Sequence, residues 1–289
     1  MRPAHQFTMR QVQANGVRFA LIDEGDGPAV LMLHGFPDTA ELWRHQIPPL
    51  VNRGFRVVAP DLRGRGATQF MNDPADYAVE NMIEDVPALL DALKIHRSHL
   101  VAHDFGAGLA WLVSAFHPER VSHLAVMSVG HPATRLPLTL GDLQRGWYQL
   151  FMQFSEAENL LTQDGWHIFR TLLDHASDIE TYIDDLSRPG RLSAALNWYR
   201  ASQPMSSFVA PAPDLPRIQA PTLGIWSDGD IYLSEKRMLG SEQYVDGPWQ
   251  YQRVDKASHW IPLDQPERVT KLLFDFLPDP TEAGTARSK

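Results

Sequence analysis

One carboxylate stands where a strand-like run meets a helix-like run, in Leu100-Val101-Ala102-His103-Asp104-Phe105-Gly106-Ala107-Gly108. The residues two places to either side, Ala102 and Gly106, are small. Small neighbours permit the sharp, strained turn of a nucleophile elbow, which lifts one side chain above a sheet. A serine there needs a base to deprotonate it. A carboxylate, with a reference pKa of about 3.9, is already an anion at neutral pH. It attacks directly and makes an ester, which suits displacement at an sp3 carbon. The following helix N-terminus favours that anion further. Alone, Asp104 reads equally well as a helix cap; its surroundings decide.

His34-Gly35-Phe36-Pro37-Asp38 follows another strand-like run. A loop in that place faces the elbow, and the main-chain N–H groups of Phe36 and Phe105 are expected to form an oxyanion hole. Toward the C-terminus, Asp255-Lys256-Ala257-Ser258-His259-Trp260-Ile261-Pro262 precedes a helix. Of the twelve histidines, His259 is singled out by its place after the last strand and by the chain order nucleophile, acid, histidine. Its work would be to deprotonate a water that attacks the Asp104 ester. The acid that orients the imidazole lies in Trp226-Ser227-Asp228-Gly229-Asp230. Asp230 is the choice and Asp228, at the turn around Gly229, the alternative.

These residues need a scaffold. Short apolar runs at 29–33, 55–59, 99–102, 121–127 and 222–226 alternate with helical patterns such as 81–93 and 106–116. That alternation predicts an α/β fold with a mostly parallel, doubly wound sheet. Residues 10–13 and 17–22 read as an antiparallel hairpin turning at Asn15-Gly16. From 133 to 216 no strand is evident. Aromatic-rich helical patterns fill the segment and end in Pro204, Pro211, Pro213 and Pro216. It is read as a helical cap inserted between core segments 1–132 and 217–289, over the sheet's carboxyl edge. The small, polar tail after Pro278 is expected to fray.

Composition narrows the function classes. The chain has 289 residues, 44% hydrophobic and 21% charged, and a formal charge of −9. That charge argues against a nucleic-acid or anionic-membrane partner. The absence of cysteine excludes disulfides, thiolate metal sites and a cysteine nucleophile. No run approaches the roughly 18 apolar residues of a membrane span, and the N-terminus lacks an apolar secretory stretch. A cytoplasmic protein, monomer or homodimer, is the expectation.

Together these segments make the sequence resemble the α/β-hydrolase-fold epoxide hydrolases over nearly its whole length. His34-Gly35-Phe36-Pro37, Asp61-Leu62-Arg63-Gly64, His103-Asp104-Phe105-Gly106-Ala107, Ser128-Val129-Gly130-His131-Pro132 and the His259 loop carry the match. So do Trp147-Tyr148 and Asn197-Trp198-Tyr199-Arg200. The resemblance implies that Tyr148 and Tyr199 hydrogen-bond the epoxide oxygen and that Asp230 is the acid. It implies hydrolysis of an epoxide with an apolar portion to a vicinal diol, without metal or organic cofactor. His34, Pro37, Trp147, Trp198 and Phe151 are expected to touch substrate, although Phe151, like Phe154, Trp166 and Phe169, also suits packing within the cap. One departure is Ala102, where the family usually has glycine; a slightly tighter elbow is expected.

Haloalkane and haloacid dehalogenases share the Asp-His-Asp core. Their halide or carboxylate donors are missing here, because Phe36 and Phe105 have no side-chain donor and Gly108 stands where an arginine would. A non-catalytic binding protein on the same scaffold is the remaining alternative.

Overall fold

A computed structural model describes residues 7–134, 139–202 and 210–280. Pro204, residues 1–6 and the tail from 281 lie outside the described residues. The hairpin comes first: β1 (Arg10–Ala14) and β2 (Val17–Glu24) pair antiparallel, with Ala14 opposite Val17. Asn15 and Gly16 both take positive φ, 44° and 72°, as a two-residue type I′ turn requires.

Six further strands complete one sheet: β3 (Ala29–Leu33), β4 (Arg56–Pro60), β5 (Ser98–His103), β6 (Val121–Met127), β7 (Thr222–Ser227) and β8 (Trp249–Val254). The spatial order is β1-β2-β4-β3-β5-β6-β7-β8, and every pair from β4 to β8 is parallel. Residues of β3, β5 and β7 are buried throughout. Each is paired on both sides and needs cover on both faces, which explains why none carries an Asp, Glu, Lys or Arg. Helices α1 (Ile47–Asn52), α2 (Val79–Ala92) and α3 (Phe105–Phe116) connect strands within the first part of the sheet.

Between β6 and β7 the chain forms helices instead of strands: α4 (Leu140–Phe151), α5 (Ala157–Leu172), α6 (Ile179–Leu186) and α7 (Arg191–Ser202). Thr139 opens α4 with a capping box, its hydroxyl accepting from the Asp142 N–H while the Asp142 carboxylate accepts from the Thr139 N–H. After β7 follow α8 (Glu235–Leu239), β8, α9 (Ile261–Asp264) and α10 (Pro266–Phe276). The helical segment is tied to the core by polar contacts. Arg44 donates to both oxygens of Asp178 just before α6. The Trp198 indole of α7 donates to the Arg63 carbonyl at 2.9 Å, and the Tyr182 hydroxyl of α6 donates to Asp38 at 2.7 Å.

Candidate active site

Three loops at the carboxyl ends of the parallel strands converge. The first is the elbow between β5 and α3. Asp104 there has φ 50° and ψ −124°, a conformation that costs a non-glycine residue about 1–3 kcal/mol. Its carboxylate makes no capping bond to α3. Instead it accepts the Phe36 N–H at 2.9 Å, from the loop after β3. Two glycines make this approach possible. A side chain on Gly106 would strike the carbonyls of Leu33 and His34, and one on Gly35 would strike the Asp104 carboxylate.

The second loop follows β7. Asp230 directs one carboxylate oxygen at His259 Nδ1, 2.8 Å away, and the other accepts the N–H groups of Tyr232 and Leu233, both at 2.9 Å. Asp228 instead accepts the Lys256 N–H and so pins this loop to the third, which runs from β8 to α9 and carries His259. The His259 carbonyl accepts from His103, and Ser227 donates to the Ser258 carbonyl. His259 Nε2 then lies 3.4 Å from Asp104.

The electrostatics follow from this sandwich. Burial alone would neutralise both groups. Burial pushes the Asp104 carboxyl up, but the hydrogen bond and charge of His259 outweigh it and hold the group down at about 2. Burial likewise lowers His259, yet the two flanking carboxylates win and raise it to about 10. The resting site is therefore an imidazolium between two anions. Tyr148 and Tyr199 are raised well above the ordinary phenol value, first by burial and then by neighbouring groups that include the Asp104 charge. Both keep their protons throughout the neutral range.

Asp104, His259, Tyr148 and Tyr199 line one small cavity with Phe36 and Trp260. The two tyrosine rings meet edge to face at 6.2 Å. A carboxylate, a histidine–carboxylate pair and two phenols around one cavity are groups whose chemistry suits a nucleophile, a base and two proton donors.

The α/β hydrolase fold model matches residues 28–266 of the chain. Epoxide hydrolase 3 of Xenopus tropicalis is 32% identical over 286 residues, covering 92% of this chain and 76% of that protein. The chain belongs to the epoxide hydrolases of the α/β-hydrolase fold. Epoxide hydrolase A of Mycobacterium tuberculosis is 29% identical across 93% of this chain and 97% of its own length. Among solved structures, an epoxide hydrolase of Bacillus megaterium in complex with an inhibitor superposes with a TM-score of 0.84. It is 25% identical, over 92% of this chain and 99% of that one. The epoxide hydrolase of Vigna radiata gives 0.80 at 27% identity, over 95% and 98%.

Against that family frame, the expected substrate contacts fall elsewhere than the cavity. His34 is buried beneath it. Its Nε2 accepts the Leu62 N–H at 2.9 Å, so the proton sits on Nδ1, which donates to the Gly35 carbonyl at 2.8 Å. Burial holds its pKa down at about 3, keeping it neutral; it braces the loop that carries Phe36. The Pro37 carbonyl accepts from buried Arg65. Trp198 packs behind Phe105, the rings tilted by 35° with 4.6 Å between centroids. Phe151 packs between Trp147 and Phe154, while Trp147 is half-exposed and lines a separate, outer cavity. In their place stand residues that sequence reasoning missed: Tyr232, Trp260, Met152, Leu172 and Leu173. Asp38, buried beside the site, accepts from Trp260 as well as Tyr182.

Proposed function

We propose that this epoxide hydrolase works through a covalent ester on Asp104. The Asp104 carboxylate attacks one oxirane carbon and breaks its C–O bond. Tyr148 and Tyr199 donate hydrogen bonds to the leaving oxygen, and one gives it a proton, which His259 replaces. The product of this half-reaction is a hydroxyalkyl ester. Water then adds to the ester carbonyl as His259, oriented by Asp230, takes its proton. The main-chain N–H groups of Phe36 and Phe105 hold the resulting oxyanion, and its collapse releases the diol and restores the carboxylate. The proton given up in the first half returns to His259 in the second, so the cycle closes.

This scheme assigns the histidine two states at two moments. With Asp104 anionic, His259 is held protonated and is no base. Esterification removes the Asp104 charge, which is one of the forces raising His259, so the imidazole becomes free to accept a proton only after the nucleophile has reacted. We further propose that residues 133–216 act as a cap domain, with 1–132 and 217–289 as the core. The cap carries both tyrosines over the sheet.

The observation that carries the reading is the convergence of Asp104, two protonated tyrosines and His259 on one cavity. A single turnover in 18O-labelled water tests it. The first diol formed should be unlabelled, its new oxygen coming from Asp104; label in that first product would mean direct water attack. His259→Gln should accumulate the ester, seen as a mass increase on the Asp104 peptide equal to the whole epoxide.

A further inference from the structure

The turn after β4 carries Arg65, a guanidinium with no exposed surface. A buried cation left unpaired is costly, so the groups it binds matter. Its Nε donates to the Asp38 carbonyl at 3.3 Å, and its Nη2 donates to the Pro37 carbonyl. These two carbonyls directly follow Phe36, whose N–H donates to Asp104 at 2.9 Å. A guanidinium presents its donors in a rigid, planar fork. Arg65 therefore fixes two successive peptide units beside that N–H. Its ion-pair partner is Asp185 of α6, 3.2 Å from Nη2. Burial alone would raise the Asp185 carboxyl, but the charges of Arg65 and Arg188 hold it below its ordinary range.

The segment around α6 grips the same turn from the other side. Arg188 donates to Asp185 and to the Gly66 carbonyl. Arg191 donates to the Gly64 and Thr68 carbonyls at 3.3 and 2.6 Å. Three residues before Asp185, Tyr182 donates to the Asp38 carboxylate. Pro37 and Asp38 are thus held between a core cation and the helix that neutralises it.

Resting on the ester mechanism proposed above, we infer that the Arg65–Asp185 ion pair positions the Phe36 N–H for ester hydrolysis. Both are positioning residues: neither lines the cavity at Asp104, and they act through the Phe36 loop. The half-reaction they serve is the second. There negative charge gathers on one oxygen, and a donor is worth most where charge develops. Ring opening draws chiefly on the two tyrosines of α4 and α7.

A single turnover of styrene oxide, quenched in acid, tests this by the mass of the Asp104 peptide. Formation and decay of the ester are read separately. Asp185→Asn strands a buried cation and can prevent folding, whereas Arg65→Met/Asp185→Asn removes both charges, an exchange often neutral for stability. In the double variant, and in Asp185→Asn if folded, ester decay should slow about 10- to 100-fold, as a small displacement at a reacting centre does, with formation within about threefold. Steady-state kcat and KM should then fall together. Arg65→Lys keeps the charge pair but not the fork, and should slow decay by a smaller factor. Arg44→Gln removes a different link to the same helical segment, the pair with Asp178, and should leave both rates within about twofold. Ester decay within about twofold of wild type in whichever of the Arg65 and Asp185 variants fold overturns the positioning role. Equal slowing of both half-reactions, or the same slowing of decay in Arg44→Gln, also overturns it, because general loosening would produce either. An ester absent from every protein, His259→Gln included, overturns the ester mechanism and this role with it.

Discussion

On the proposed mechanism, Asp104, His259 and the two tyrosines divide the pH dependence between them. Ring opening consumes a proton, and His259 in the free protein holds one up to about pH 10. kcat/KM should therefore stay level through neutral pH and fall as pH rises through about 10. Ester hydrolysis needs the opposite state of the same imidazole, now relieved of the Asp104 charge. Under conditions where hydrolysis limits kcat, kcat should instead climb with pH, with a midpoint clearly below 10. Matching profiles for the two constants would contradict the switch in His259. Tyr148→Phe and Tyr199→Phe should each slow ring opening about 10- to 10³-fold, and the double change should abolish it, since each loses a donor whose effect is of general-acid size. Stopped-flow measurement of ester formation separates this loss from any effect on hydrolysis.

At the scale of elements, helix phase explains both what the sequence disclosed and what it withheld. Consecutive helical residues point about 100° apart. When α4 aims Tyr148 at Asp104, Trp147 must face outward. When α7 aims Tyr199 inward, Trp198 turns down onto the Arg63 carbonyl. The paired motifs identified the helices; of each pair, the structure places the tyrosine at the cavity beside Asp104 and its tryptophan neighbour away from it. Strand 29–33 was legible because it is apolar throughout, and 121–127 because only Ser122 and His123 interrupt its apolar run. Trp249–Val254 was not, because β8 lies at the sheet edge, where Gln250, Gln252 and Arg253 interrupt the apolar pattern. Asp104, Asp230 and His259 could be found from turn chemistry and chain order. Tyr232, Trp260 and Asp38 reach the site only through folding of distant segments, and no local pattern marks them. The elbow offers a direct check: Gly106→Ala would drive a methyl group into the Leu33 and His34 carbonyls. Overpacking of this kind costs about 1–3 kcal/mol, and the resulting shift of the Phe36 loop should, on the proposed mechanism, lower kcat more than it raises KM.

The whole molecule also responds to pH through buried groups that take no part in the proposed chemistry. His34, His99, His103 and His131 are buried, and burial depresses each to about 3 or 4. Unfolding lets them take up protons below their ordinary 6.5, so their contribution is present above that value and lost as pH falls toward 4. Asp38 and Asp61 run the other way. Burial raises them to about 7 and 6, so the stability their bound protons give is lost as pH climbs through those values. The four histidines outnumber the two carboxyls, and His259 adds a loss between 6.5 and about 10. The unfolding temperature should therefore peak near pH 6–7 and decline on both sides. Asp38→Asn should flatten the decline around pH 7, and calorimetry across pH 4–10 reads both effects. Tyr182→Phe removes the hydroxyl that joins α6 to Asp38 and should lower stability by about 1–3 kcal/mol, the cost of leaving a buried acceptor short of a donor.

The bond from His103 to the His259 carbonyl spans 156 positions of chain, and this separation has a consequence for how the protein is made. The Asp104 turn and the four helices between β6 and β7 leave the ribosome long before β7, β8 and the His259 loop can dock. Contacts so distant in sequence form slowly, and until they form, Asp104 lacks His259 beside it. Reactivity is thus assembled last. In refolding from denaturant, helical signal should recover in earlier phases, while diol-forming activity should return only with the final one.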